Sequence, residues 1–335
     1  MPFIQIGIAG SGGMALQRIS RFNRIPGVKV SAVYARNIEK IRSVCAREQI
    51  KACRRYEQLL NAAEAVVICL PNYLHADFAL QALQAGRHVL VEYPLCLNRT
   101  EAEGLHKAAC GNNKVLMTGN TIIHEATFRY LTSNKSRLGA IQSAASRVAL
   151  YDARIAGQWY MNKKMTGPVF AGLHYHHIEY YRHLLGKVKA VAAWDESRPD
   201  KRRPGYKSLI GGTLHLEHAS GSNSCIQWYL SVSGRPVLPR GLWLNGRKRT
   251  VAIIELRPGR SQVIWDNRSV EFLPRDQDEW GVAASCHDFI QAIRGNFDWR
   301  KRFEEDLKTL QIGWLAGQSA REHKILKWKY APIRN

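Results

Sequence analysis

Residues 3–15 of the chain read Phe-Ile-Gln-Ile-Gly-Ile-Ala-Gly-Ser-Gly-Gly-Met-Ala. The first seven residues alternate and then become continuously apolar, which is typical of a buried parallel strand. Gly10, Gly12 and Ala15 form a GxGxxA turn. Apolar residues spaced along 16–22 predict a helix directly after the turn. The stretch therefore predicts a strand, a glycine turn and a helix, in that order.

This order is the context that a dinucleotide-binding turn requires. Gly10 permits the tight turn, Gly12 lets the backbone approach a pyrophosphate, and Ala15 keeps the helix close to the strand. The N–H groups and the positive dipole end of the helix would face the phosphates. The predicted cofactor contacts in this turn are Gly10, Ser11, Gly12, Gly13 and Met14. A plain structural turn is the alternative, and the flanking strand and helix favour the cofactor site.

The rest of the chain divides into two patterns. Apolar strands and helical segments alternate up to about residue 120, which requires a parallel sheet with right-handed crossovers. Ligands of such sheets lie beyond the carboxyl ends of the strands. After that point, strand-like stretches follow one another with turn residues between them, which predicts an antiparallel sheet. Two helical segments close the chain.

Composition limits where the protein works. The chain has 335 residues, of which 45% are hydrophobic and 23% are charged, as in ordinary globular proteins. No segment approaches the roughly 18 apolar residues of a membrane span. The N-terminus lacks the layout of a secretory signal, and the seven cysteines form no CxxC pair and indicate reduced thiols. We therefore expect a cytoplasmic protein with no membrane partner.

The net charge of +22 needs an explanation. The basic residues are spread along the chain, and three of them, Arg18, Arg21 and Arg24, fall on the first predicted helix. Nucleic-acid binding is one interpretation, but no helix-turn-helix, zinc-finger or RNP pattern accompanies the charge. We prefer a solvated basic surface that attracts an anionic substrate or cofactor.

The end of the second predicted strand bears on the choice of cofactor. An acidic residue at this place would bind the ribose hydroxyls of NAD. The chain has Ala35, Arg36 and Asn37 instead. A guanidinium pairs with a 2′-phosphate in a forked geometry, whereas a carboxylate would repel it. We therefore predict NADP rather than NAD, with Arg36 and Asn37 as contacts; an exposed arginine without a ligand is the alternative.

Three further motifs carry a resemblance to a known family. They are Leu70-Pro71-Asn72-Tyr-Leu-His75, then the run from Ala82 to Glu92-Tyr93-Pro94, and then the run from Gly167 through His176 to Glu179. Together they resemble the Gfo/Idh/MocA oxidoreductases, whose pattern is PN-x-x-H followed by ALxAGKHVxxEKP and a later GxHxxD helix. These motifs, in this order and with this spacing, are spread over most of the first 190 residues.

The resemblance implies an α/β protein of two domains. Residues 1–120 would form an N-terminal Rossmann domain with a parallel sheet. Residues 121–335 would form a C-terminal α+β domain with an open, mainly antiparallel sheet, and the last helices could pack back on the first domain. In this family such sheets pair, so we expect a homodimer or a higher homo-oligomer that acts on a small-molecule substrate.

The resemblance also assigns residues to the site. The predicted borders of the nicotinamide cofactor are Leu70, Pro71, Asn72, His75, Glu92 and Tyr93. His176 aligns with the common acid/base histidine of the family, and Glu179, one helical turn later, replaces the usual aspartate and could orient it. The alternative for His176 is a packed helix histidine, because His174, His177 and His183 surround it in sequence. No ligand spacing around these histidines requires a metal, so we predict none.

Tyr93 is the chief departure from the family. It replaces the lysine of EKP, and a phenol donates a hydrogen bond but carries no positive charge. The biliverdin reductase branch has the same EYP sequence. However, Gly119 and Asn120 stand where that branch has a glutamate, and His177 stands where it has an arginine.

These observations lead to one functional hypothesis and three alternatives. We predict an NADPH-dependent reductase that passes hydride to a C=O, C=N or conjugated C=C of a small, anionic molecule, with Tyr93, His176 and Glu179 as the catalytic group. A tetrapyrrole reductase similar to biliverdin reductase is the first alternative. A non-catalytic NADP-binding regulatory protein and a nucleic-acid-binding protein are the others, and we rank both below the enzyme.

Overall fold

The protein is described by a computed structural model that covers residues 3–151, 159, 162–199, 207–231, 240–257, 260–266, 268–273 and 281–333. Its internal contacts divide the chain into two units. The first comprises residues 1–121, 281–307 and 331–335, and the second comprises residues 122–280 and 308–330. In the described part of the chain, no helix combines the length and apolarity needed to cross a membrane.

The first unit contains a six-stranded parallel sheet. Its strands are β1 (Ile4–Ala9), β2 (Val28–Tyr34), β3 (Lys51–Cys53), β4 (Ala65–Ile68), β5 (His88–Val91) and β6 (Leu116–Thr118). Its first five helices are α1 (Gly13–Phe22), α2 (Arg42–Arg47), α3 (Tyr56–Asn61), α4 (His75–Gln84) and α5 (Arg99–Gly111). The strand order β3-β2-β1-β4-β5-β6 reverses direction between β1 and β4, where ligands of such sheets bind. The predicted Rossmann sheet is confirmed.

The apolar runs of the sequence become the centre of this sheet. All four residues of β4 and the last four of β1 are buried, as a parallel sheet covered on both faces requires. Two details differ from the sequence prediction. Residues 38–48, which the pattern predicts as one helix, form a 3₁₀ turn over 38–41 followed by α2. The pattern does not predict β3 and α3, because three and six residues are too short to show a period.

The second unit contains a nine-stranded sheet. Its strands are β7 (Ile141–Tyr151), β8 (Val188–Pro199), β9 (Lys207–His218), β10 (Asn223–Ser231), β11 (Arg240–Gly246), β12 (Thr250–Arg257), β13 (Arg260–Trp265), β14 (Arg268–Phe272) and β15 (Leu326–Lys327). Its shorter helices are α6 (Ala126–Ser133), α7 (Lys135–Leu138), α8 (Lys163–Thr166), α9 (Val169–Gly172) and α10 (Tyr175–Leu185). The order is β14-β13-β12-β11-β7-β10-β9-β8-β15, and every described pairing except β7 with β10 is antiparallel. The expected mainly antiparallel sheet is confirmed.

Two further helices follow β14, namely α11 (Val282–Ile293) and α12 (Trp299–Glu322). Residues 281–307 group with the first unit, although they lie far beyond the boundary at residue 120 that the sequence indicates. The reason is an apolar contact between α1 and α11, in which the rings of Phe22 and Phe289 meet edge to face with centroids 6.3 Å apart. Both rings are fully buried.

We predict that Phe289→Ala lowers the free energy of unfolding by about 3–5 kcal/mol, because it leaves a cavity between α1 and α11. The matched control is Phe3→Ala, since 54% of Phe3 is exposed and little packing is lost there. Urea unfolding followed by circular dichroism measures both. Equal effects of the two substitutions would contradict the packing of α11 on the Rossmann unit.

Candidate functional site

The glycine turn after β1 approaches β4 very closely. Gly10 has a φ of +137°, and a Cβ added to it would lie 2.4 Å from the carbonyl oxygen of Cys69. Only glycine fits both the backbone conformation and this contact. The turn is therefore held at the point where the strand order reverses.

The next residues leave space in front of α1. Gly12 is the N-cap of α1 and provides no side-chain cap, and a Cβ on Gly12 or Gly13 would meet no atom within 4 Å. The first N–H groups of a helix have no partner inside it, and they attract an anion. Open space beside unpaired helical amides fits the diphosphate of a dinucleotide. Ser11 and Met14, on either side, are half-buried.

Arg36 and Asn37 lie just after β2 and are exposed. The Asn37 side chain caps the following 3₁₀ turn by accepting a hydrogen bond from the Glu39 amide, at 3.2 Å. Arg36 thus presents a solvated guanidinium at the end of the strand that neighbours β1. This is the place at which a 2′-phosphate would be bound in a Rossmann unit.

The loop after β4 is fixed by His75. Its two ring nitrogens lie 2.7 Å from the carbonyl oxygens of Leu70 and Pro94, so the ring links the ends of β4 and β5. Burial lowers the pKa of His75, although the two carbonyls oppose the shift. Each contact is a hydrogen bond when the ring nitrogen carries the proton, because a carbonyl oxygen can only accept. In this loop Pro71 is half-buried and Asn72 is buried.

Glu92 forms a buried ion pair that the sequence analysis did not predict. Its Oε1 accepts a hydrogen bond of 2.7 Å from Nε of Arg18, whose side chain is completely buried. Another guanidinium nitrogen of Arg18 donates to Oγ of Ser285, at 3.2 Å. Burial acts to lower the pKa of Arg18, but Glu92 and Cys286 together raise it above its ordinary value. A Cβ on Gly119 would lie 2.6 Å from the same guanidinium, so this position also requires a small residue.

Our assignment of Arg18 to a solvated basic surface is therefore wrong. The sequence contained a signal, because Arg18 lies on the helix face of Ala15, Ile19 and Phe22, which are all buried. A charge on the buried face of a helix requires a partner. Glu92 supplies it, and Oε1 of Glu92 is used for this internal pair.

Tyr93 follows Glu92 directly after β5 and is half-buried. Tyr93 therefore lies at the carboxyl end of β5, next to β4. Side chains at this edge of a parallel sheet can contact a ligand. The backbone on its C-terminal side is held by His75 through the Pro94 carbonyl. The phenol is therefore carried by a fixed backbone.

In the second unit, α10 carries His176 and Glu179. Glu179 is fully buried, and its carboxylate accepts hydrogen bonds from Arg182 and His183, both at 3.1 Å, and from the hydroxyl of Thr309. It also acts electrostatically on His176. Glu179 thus fixes α10 through Thr309 of α12 within the same unit.

His176 and His177 of α10 are neutral at neutral pH. Burial lowers the pKa of His176 to about 3, with a further contribution from His177 and an opposing one from Glu179. Burial and Arg240 lower the pKa of His177 to about 4. A neutral imidazole with so low a pKa is a poor base but still donates a hydrogen bond. In the described part of the chain, no group of three or more histidine, cysteine or acidic side chains has the geometry to hold a metal ion.

Glu125 has an unusual titration that the sequence analysis missed. Burial and the neighbouring Glu255 raise the pKa of its carboxyl to about 8, although a hydrogen bond with Tyr180 opposes the shift. At neutral pH this carboxyl is therefore largely protonated and can donate a hydrogen bond. The biliverdin reductase branch has a glutamate immediately after β6. In this chain Glu125 comes later and directly precedes α6.

Comparison with known proteins supports this description of the first unit. Residues 4–120 match the Gfo/Idh/MocA model, which is described as an oxidoreductase family with an NAD-binding Rossmann fold. The 4-carboxy-2-hydroxymuconate-6-semialdehyde dehydrogenase of a Sphingobium species is 28% identical over 131 residues, which is 38% of this chain and 42% of that enzyme. This match therefore covers less than half of the relative's own length.

Two solved structures show a similar fold over nearly the whole chain. Biliverdin reductase from Synechocystis, in complex with biliverdin and NADP+, has a TM-score of 0.83 and 18% identity, and the match covers 95% of this chain and 99% of that one. The WlbA dehydrogenase from Bordetella pertussis, in complex with NADH and UDP-GlcNAcA, has a TM-score of 0.80 and 19% identity, with 98% and 99% covered. At such identities the likeness concerns the fold alone.

We predict that Glu92→Gln lowers the free energy of unfolding by about 3–5 kcal/mol, because it leaves the buried Arg18 charge without compensation. The control is Glu39→Gln, which removes the carboxylate of a pair with Arg42 whose side chains are both more than 60% exposed. That substitution should have little measurable effect. Urea unfolding measures both, and a mild effect of Glu92→Gln would show that Arg18 is compensated elsewhere.

Proposed function

We propose that this chain is an NADPH-dependent reductase of a small molecule, because residues 4–120 match the model of the Gfo/Idh/MocA oxidoreductase family. The reaction would add hydride to the carbon of a C=O, C=N or conjugated C=C group and a proton to its heteroatom or conjugated end. A bound nicotinamide nucleotide would supply the hydride, and the protein would bind, orient and protonate the substrate.

One observation carries the proposal, namely the geometry of the glycine turn. Gly10 is confined by the Cys69 carbonyl, and Gly12 opens onto free space at the N-terminus of α1. Packing explains why position 10 must be glycine. Packing does not explain the glycine at position 12, where a Cβ would meet no neighbouring atom. Space of this kind beside helical amides is what a diphosphate needs.

The preference for NADPH rests on Arg36. Its exposed guanidinium follows β2, and no carboxylate stands at Ala35, Arg36 or Asn37 to bind the ribose hydroxyls of NADH. A guanidinium stabilises a 2′-phosphate by charge and by paired hydrogen bonds.

We propose that Tyr93 donates the proton. Hydride transfer places negative charge on the substrate, and the phenol O–H can donate to the atom that receives it. The resulting phenolate would recover a proton from water. The ends of β4 and β5, joined by His75, would hold the phenol in position, since both ring nitrogens of His75 face backbone carbonyl oxygens.

For the second unit, we propose that His176 contributes a ring N–H to substrate binding. Its lowered pKa, at about 3, makes it a hydrogen-bond donor rather than the acid/base of the sequence hypothesis. Glu179 would act as a positioning residue, because its hydrogen bonds with Arg182, His183 and Thr309 fix the helix that carries His176.

A tetrapyrrole reductase is the second candidate. The Glu92-Tyr93-Pro94 sequence favours it, because a phenol replaces the lysine at the place where the substrate is protonated. Biliverdin therefore belongs in the substrate panel beside simple ketones and imines. If the protein binds NADPH but oxidises it with no member of the panel, the regulatory alternative gains support.

Gly12→Val should abolish nucleotide binding without loss of stability, because the new side chain would occupy the open space before α1. The matched control is Gly104→Val, since a Cβ on Gly104 also meets no atom within 4 Å. Calorimetric titration with NADPH measures binding, and thermal unfolding checks the fold. Undiminished binding by the Gly12 variant would overturn the proposed site.

The same titration tests the choice of cofactor. Arg36→Ala should weaken NADPH binding by about tenfold to a hundredfold, which corresponds to the loss of a charged hydrogen bond, and should leave NADH binding nearly unchanged. Arg42→Ala, which removes another exposed arginine nearby, is the control. Equal weakening of both nucleotides would assign Arg36 a different role.

Tyr93→Phe tests the proton donor. It should lower the single-turnover rate of substrate reduction by about a hundredfold or more, and leave NADPH affinity unchanged, because only the hydroxyl is removed. Stopped-flow loss of NADPH absorbance measures the rate. Tyr73→Phe, which alters an exposed tyrosine, is the control. A Tyr93 variant with the wild-type rate would remove Tyr93 from the chemistry.

A further inference from the structure

Three aromatic rings in the second unit bring buried polar atoms together without hydrogen-bond partners. Among the described residues, neither ring nitrogen of His174, nor Nδ1 of His177, nor Nε1 of Trp228 has one. The ring centroid of His174 lies 5.2 Å from that of Trp228 and 5.6 Å from that of His177. His174 and Trp228 are each only 1% exposed. These three residues are called the His-Trp cluster below.

The cluster is costly unless something binds to it. A buried polar group without a partner costs about 1–3 kcal/mol, and more than nine in ten such groups in native proteins are paired. Here four such atoms belong to three neighbouring rings, which come from α10, from the residue before it and from β10. A group that accepts hydrogen bonds would offset this cost.

The position of the indole is fixed by the sheet. Trp228 on β10 lies opposite Gly212 on β9, and a Cβ on Gly212 would come within 2.8 Å of the indole nitrogen. Glycine at this position therefore leaves room for the indole nitrogen beside the neighbouring strand. The N–H group is held in place by packing rather than by a hydrogen bond.

The chemistry of the cluster selects an anion. The indole can only donate, and each neutral imidazole has one N–H to donate. Burial lowers the pKa of both His174 and His177, and the positive charge of Arg240 contributes to both shifts. A nearby positive charge also favours a negatively charged group. Three N–H donors match the two oxygens of a carboxylate, and a singly charged carboxylate is easier to desolvate than a phosphate dianion.

We propose that the His-Trp cluster binds a carboxylate group of the substrate or of another small ligand. The site lies wholly within the second unit, so its existence does not depend on nucleotide binding by the first unit or on the proposed reaction. If both proposals hold, the reductase acts on a carboxylate-bearing molecule.

The test uses acetate and acetamide, which have nearly the same shape and differ in charge. The full-length protein, labelled with ¹⁵N in its tryptophan indoles, is titrated with each compound in the absence of nucleotide. The Trp228 resonance is identified by its loss in Trp228→Phe. Acetate should shift this resonance saturably and downfield, as a new N–H···O hydrogen bond requires, and acetamide should not.

Variants then connect the shift to the cluster. His174→Phe should weaken acetate binding at the Trp228 resonance by about tenfold or more. Trp194→Phe, which changes an exposed tryptophan of the same sheet, should leave it unchanged. Because the wild-type titration does not use His174→Phe, a destabilised His174 variant leaves the comparison of acetate with acetamide intact.

Several outcomes would overturn the proposal. One is the absence of any saturable shift, as expected if an ordered water or another part of the chain already satisfies the cluster. Others are an equal response to acetamide, or a response to inorganic phosphate but not to acetate. NADPH binding is measured in a separate titration of the same sample. If NADPH does not bind, the acetate result is unaffected, because the cluster lies in the second unit.

Discussion

The buried guanidinium of Arg18 is the constraint on which the first unit depends. It lies on the inner face of α1 and bonds with Glu92 after β5 and with Ser285 on α11. A charge so deeply buried is tolerated only when it is paired and hydrogen-bonded. The helix that would bind a diphosphate is thereby fixed to the strand end that carries Tyr93. This also accounts for Gly119, where a side chain would collide with the pair.

The pair also changes how the neighbouring residues should be interpreted. Glu92 belongs to a motif that suggested a cofactor contact, yet one of its carboxylate oxygens accepts a hydrogen bond from the buried Arg18. His75 is similar, since both of its ring nitrogens face backbone carbonyl oxygens. These two residues of the motif shape the loops, which leaves Tyr93 as the residue of this strand end whose side chain is suited to chemistry. A motif can thus be required for structure even where it borders a ligand.

The sequence predicted the parts of the fold that repeat and missed the parts that depend on single distant contacts. The strand, turn and helix at residues 3–22 were predictable because glycine spacing and apolar period agree there. The grouping of residues 281–307 with the first unit has no local pattern and was expected only from the family resemblance, because it depends on Phe22 and Phe289, which are far apart in sequence. The parallel pairing of β7 with β10 has no local signature either, since both strands occur in a run of antiparallel neighbours. At the candidate site, the motifs suggest which residues take part, whereas the neutral state of His176 follows from burial and from its neighbours.

The protonation states narrow the kind of substrate that the proposed chemistry suits. Hydride addition places negative charge on the substrate, and an ammonium group would stabilise that charge more strongly than a neutral donor. The donors proposed for the substrate are a phenol and an imidazole that stays neutral because burial lowers its pKa to about 3. Such donors act well on a group that carries its own electron sink or is itself basic, such as a C=N or an extended conjugated system. They act less well on an isolated ketone, whose oxygen must gain a full negative charge. For the proposed reaction, the tyrosine at position 93, where the Gfo/Idh/MocA pattern has lysine, and the burial of His176 both favour C=N or conjugated acceptors.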